Sequence, residues 1–96
     1  MCEEMNVIDR FNQVIEQAKK DWNFAHAVVR GDYVLRIHPI TQSGLIGLTL
    51  SIRNITVGIY GLDIMIRDIG RSTYQIYCSS CDGIITIPEE VLEVLV

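Results

Sequence analysis

The sequence predicts an α+β protein: an N-terminal amphipathic helix packed on a mainly antiparallel meander sheet of six to seven strands, followed by a short C-terminal helix. Three observations predict it. Apolar residues recur every three or four positions up to residue 22, and they alternate every second position after residue 23. "GLTLSIRN" at 47–54 then returns as "GLDIMIRD" at 61–68, the stride of a chain that folds back on itself repeatedly. The alternative is a small, partly closed barrel plugged by the first helix, which would cover the sheet edges.

Residues 4–22 place Met5, Ile8, Phe11, Ile15, Ala18 and Trp22 on one helical face, with Asp9, Arg10, Asn12, Gln13, Glu16, Gln17 and Lys19 on the other. Glu3 and Glu4 near the start and Lys19 and Lys20 near the end complement the helix dipole. The apolar face is core.

Beyond it, "FAHAVV" and "YVLRI" flank "RGD", and a two-residue turn at Gly31-Asp32 pairs Val28 with Leu35 and His26 with Ile37. That triplet reads as a hairpin tip rather than an adhesion signal. Pro39 and "TQSG" make a loop. A tip at Arg53-Asn54 pairs Ile52 with Ile55, Leu50 with Val57 and Leu48 with Ile59. A further type II′ tip at Gly61-Leu62 would pair Ile59 with Ile64 and Val57 with Ile66. Around "IGRS" a loop of odd length, three or five residues, is needed to keep Ile66 opposite Ile76 or Tyr74.

Gly83 to Ile87 reads as the last strand. Pro88 opens a helix with Glu89 and Glu90 at its positive end and Val91, Leu92 and Leu95 on its apolar side. This stretch, "GIITIPEEVLEVL", resembles the strand, Ile-Pro and short helix of AbrB-type swapped-hairpin DNA-binding domains. The resemblance implies the local strand-to-helix turn; the segment is acidic where that family presents basic residues, so it implies no activity here.

The 96 residues are 49% hydrophobic, which fits a single domain over 1–96 with one core. A chain of about 100 residues buries only roughly 60–70% of its unfolded surface, so the apolar excess predicts self-association, in its simplest form a homodimer. The net charge of −4 argues against direct nucleic-acid binding, which needs clustered Lys and Arg. With a polar opening stretch and no apolar run of about 20 residues, the sequence reads as cytoplasmic, with no membrane partner. The three cysteines then read as reduced thiols.

No GxSxG, H-E-x-x-H, Walker loop or GxGxxG occurs, and no carboxylate spacing forces two acids together, so the expectation is a non-enzymatic protein without catalytic residues or cofactor. The polar face of the predicted meander carries the candidate binding residues Arg53, Thr56, Tyr60, Asp63, Arg67 and Tyr77, with Thr56 facing Arg67 and Tyr60 facing Asp63. Arginines beside tyrosines are the residue types of protein-interface hot spots. The leading expectation is therefore a small acidic protein that binds, and thereby inhibits, another protein. The same arginines could instead hold a small anionic ligand or nucleotide. As a third reading, Cys78 and Cys81 of "CSSC" could supply two ligands of a Zn²⁺ shared across a dimer.

Overall fold

Asn6 starts the first helix. Its side-chain oxygen accepts from the Asp9 backbone N–H at 2.8 Å, capping α1 (Val7–Lys20), whose last turn carries Lys19 and Lys20. Val7, Phe11, Ile15 and Ala18 form its buried stripe. Trp22 lies beyond the helix and is exposed, so the predicted apolar face ends one turn early; Met5 falls outside the described residues. The structure is a computed structural model, and it describes residues 6–41, 44–79 and 83–93.

Seven antiparallel strands follow: β1 (His26–Arg30), β2 (Tyr33–Pro39), β3 (Ile46–Ile52), β4 (Ile55–Gly61), β5 (Ile64–Gly70), β6 (Thr73–Cys78) and β7 (Ile84–Pro88). A single turn of helix, α2 (Glu89–Leu92), comes last, with Pro88 at its N-cap position and Val91 and Leu92 buried. The strand, Ile-Pro and helix order expected at 83–92 is present.

Most predicted registers are observed. Val28 faces Leu35 and His26 faces Ile37, around a turn in which Gly31 has φ +60° and so takes the first position of a type II′ turn. Ile52, Leu50 and Leu48 face Ile55, Val57 and Ile59. Ile66 faces Ile76, and the odd residue required there is supplied by a bulge between Asp68 and Gly70 (φ +94°) rather than by a longer loop.

The tip at Gly61-Leu62 does not form. β4 and β5 are not paired: the strands divide into a four-stranded sheet, β1-β2-β3-β4, and a three-stranded sheet, β5-β6-β7. Gly61 does not adopt the positive φ that a type II′ tip requires, and the chain turns a corner through Leu62 and Asp63 instead. The physical reason lies in the helix. α1 packs against β2 and β3 on one side and β5 on the other, so dividing the meander lets two apolar sheet faces cover one helix. Phe11, Ile37, Leu48, Ile76 and Ile87 meet in that core, which is contiguous through both sheets. The arrangement is two open sheets, so the partly closed barrel is also set aside.

α2 completes the second sheet. Tyr74, 8% exposed, donates from its hydroxyl to Glu89 Oε1 at 3.2 Å, and the Glu89 N–H donates to the Ser72 carbonyl at 2.8 Å. Burial raises the Tyr74 pKa above the ordinary 10.0, helped by the hydrogen bond and charge of Glu89 and by the charges of Asp68 and Glu93. A raised phenol pKa means that the folded state holds the proton more tightly than the unfolded chain. The contribution is complete below pH 10 and is lost as pH rises through the folded value. Urea midpoints measured from pH 8 to 11 will therefore fall more steeply above pH 10 in the native protein than in Tyr74→Phe. At neutral pH the variant will lose about 1 kcal/mol through the missing hydrogen bond. Equal alkaline slopes would rule out this role for Tyr74.

Candidate protein-contact face

Alternation along β5, β6 and β7 sends Ile66, Ile76 and Ile85 inward as one cross-strand row. The neighbouring rows therefore point outward. One is Met65–Tyr77–Ile84 and the next is Arg67–Gln75–Thr86. Met65 and Ile84 are exposed and Tyr77 is half-buried between them, which gives a short apolar ridge.

Arg67 lies over that ridge. Its Cζ is 4.6 Å from the Tyr77 ring centroid, and its Nε and Nη2 both donate to Gln75 Oε1, at 3.0 and 2.8 Å. The Gln75 amide thus orients the guanidinium plane, and the Tyr77 ring supports it from below. An arginine held this way loses little side-chain entropy when a partner covers it.

The other predicted site residues are dispersed, because the face assumed that β4 pairs with β5. Thr56 meets Ser51 instead of Arg67, with 2.8 Å between their hydroxyl oxygens. Arg53 sits at the tip of the β3–β4 hairpin with φ +57°, its Nε 3.4 Å from Asp32 Oδ2 at the tip of the β1–β2 hairpin. Those side chains are 80% and 63% exposed, so the ion pair adds little stability. Tyr60 belongs to the first sheet, opposite Gly47, and Asp63 accepts from the Ser79 hydroxyl at 3.1 Å in the corner between sheets. Of the six, only Arg67 and Tyr77 are brought together; Met65, Gln75, Ile84 and Thr86 complete their face.

Cys78 departs from the reduced-thiol expectation. It is disulfide-bonded, its partner lying outside the described residues, as does Cys81. A disulfide sulfur has no proton to donate, so the 3.7 Å approach of Cys78 Sγ to the Tyr60 carbonyl is a packing contact. In this state Cys78 offers a metal no thiolate. Among the described residues, no three His, Cys, Asp or Glu side chains cluster in a way that could hold a metal ion.

Sequence reasoning missed one further feature. An open groove of about 690 Å³ lies along α1, lined by Asp9, Glu16, Lys20, Phe24 and His26 among others. The Phe24 and His26 rings stack at 5.9 Å, and the His26 Nε2 is buried with no hydrogen-bond partner among the described residues. The signal was present: residues 24 and 26 share one face of an extended chain. Two carboxylates against one ammonium make this groove a poor match for an anionic ligand.

Compared with known proteins, the chain matches no family model, no curated protein and no solved structure. No helix among the described residues is long and apolar enough to cross a membrane.

Proposed function

We propose that the protein is a small, acidic, non-enzymatic binding protein. It acts as a homo-oligomer, recognises another protein through the outer face of β5–β7, and inhibits that protein by covering its surface. One observation carries the reading: a rigidly held Arg67 stacked on Tyr77, adjoining the exposed Met65 and Ile84. Tyr, Arg and Met are the side chains enriched where protein interfaces concentrate their binding energy. The net charge of −4 adds long-range attraction towards a partner with basic surroundings.

The small-anion reading draws less support. Two donors of the Arg67 fork are already directed at Gln75, and Arg53, paired with Asp32, belongs to the other sheet. The two arginines therefore do not converge on one anion within a chain.

Affinity capture with cross-linking to the bait surface tests the proposal. Arg67→Glu and Tyr77→Ala will each weaken capture about 30-fold or more, the effect of a hot-spot residue, and cross-links will map to β5–β7. Arg53→Glu will leave capture unchanged. If Arg67→Glu and Tyr77→Ala bind like the native protein, the face is misassigned.

A further inference from the structure

Two open sheets leave four strand edges, and three of them are protected against pairing. β1 is packed by α2, β5 carries Arg67, Asp68 and the bulge, and β7 ends in Pro88. β4 has none of these devices. It is the last strand of its sheet, and its sequence, ITVGIYG, holds no charge and no proline and pairs with β3 without a bulge.

The two-residue turn at Arg53-Asn54 fixes what this edge offers. The pair flanking such a turn exchanges both ladder bonds, so Ile55, Val57 and Ile59 bond inward to β3. Thr56, Gly58 and Tyr60 then direct their N–H and C=O groups outward. The Tyr60 carbonyl accordingly faces Cys78, and Gly83 adjoins Ile59 and the Gly58 carbonyl, so the second sheet covers the edge beyond Gly58. The free stretch is Ile55–Gly58, in which every residue is exposed. Ile55 is 70% exposed and Val57 45%, both on the face that elsewhere is core. Ile55 also lines a groove of about 540 Å³ with Tyr33, Ile52 and Asn54.

We infer that a second copy of this chain pairs along this edge, β4 antiparallel to β4, about a two-fold axis at Thr56. The inference rests on the homo-oligomer half of the proposed function and names the surface that forms it; it does not depend on the β5–β7 face.

Several features select a copy of the same chain over another partner's strand. Two-fold pairing across a sheet keeps faces together, so a residue must oppose one of equal parity. With Thr56 at the axis, each Thr56 exchanges its outward N–H and C=O bonds with its counterpart, and Ile55 meets the partner's Val57 twice over. Four exposed apolar side chains become one cluster. The partner's strand then turns away at its own Arg53-Asn54 tip, opposite Gly58 and Ile59, just where β7 begins to obstruct the edge. A longer extended strand would collide there. Each chain carries −4, yet β4 itself brings no charge to this contact, and the flanking tip brings Arg53 already paired with Asp32.

Sedimentation velocity at about 100 μM, where a micromolar interface is populated, will show a dimer of the 10.9 kDa chain. Amide exchange by NMR will show a slow Thr56 N–H group. Ile55→Lys places a charge in the apolar cluster at an exposed site that the fold does not need, and Thr56→Pro removes the outward donor, together with the hydroxyl contact to Ser51. Both will be monomeric at the same concentration with native circular dichroism, and Ile55→Lys will show fast exchange at Thr56. A monomeric native protein, or a dimer that both variants leave intact, overturns the inference. So does protection of Thr56 that requires a different protein. The β5–β7 face is read separately: a dimer lost in Ile55→Lys stands even if Tyr77→Ala leaves partner capture unchanged.

Discussion

Phe11→Ala will cost about 3–5 kcal/mol, the range for deleting a fully buried aromatic ring whose cavity cannot close. Phe11 is 0% exposed, and it projects from the helix that both sheets share. Neither sheet can collapse onto the void without leaving the other. At roughly 0.05–0.15 kcal/mol per residue, a chain this size has about 5–14 kcal/mol of stability in all. The variant therefore gives up a substantial share of that stability, and its urea midpoint will fall accordingly. Phe11→Leu keeps most of the volume and will cost clearly less. If Phe11→Ala lost under about 1 kcal/mol, the helix would not be the wedge between the sheets that the packing shows.

Phe11 itself was legible, because the spacing Phe11, Ile15, Ala18 places it at the centre of a helical stripe. So were the registers Val28–Leu35, Leu50–Val57 and Ile66–Ile76, each of which follows from parity and one turn. What the sequence does not display is whether two successive strands bond to each other or part. Gly61-Leu62 has the composition of a hairpin tip, and pairing Ile59 with Ile64 keeps a face apolar, so local chemistry and patterning both favour the hairpin. The division is decided by non-local packing: β5 contributes more by lying against α1 with Ile64 than by extending the first sheet beside β4.

The candidate site depended on that same junction. Arg67 and Tyr77 remain together because β5 and β6 do pair, each lying one position from the predicted Ile66–Ile76 contact. Arg53, Thr56 and Tyr60 were joined to them only by the assumed β4–β5 ladder, and they parted from them with it. The repeated Ile-Arg of the two octapeptides is thus two different structures: Arg53 forms a strained hairpin tip facing Asp32, and Arg67 a mid-strand residue clamped by Gln75 and Tyr77.

The junction between the sheets can be tested at a single atom. A Cβ built on Gly83, just before β7, would fall inside van der Waals contact with Ile59 Cγ2 on β4. Ile59 is 5% exposed and β-branched, so it has no free rotamer into which to withdraw. Gly83→Ala will therefore destabilise the protein by about 1–3 kcal/mol, the cost of overpacking a tight contact. Ile59→Ala removes the opposing methyl and will cost about 2–5 kcal/mol alone, but the double variant will be more stable than the sum of the two predicts, by at least about 0.5 kcal/mol. Urea denaturation of the four proteins closes the cycle. The distinction from the predicted meander is sharp. With β5 hydrogen-bonded beside β4, residue 83 would have no reason to touch Ile59, and the two substitutions would add. Coupling between them is the signature of a chain that leaves one sheet at Gly61 and returns, in β7, to close the second sheet against the strand it left.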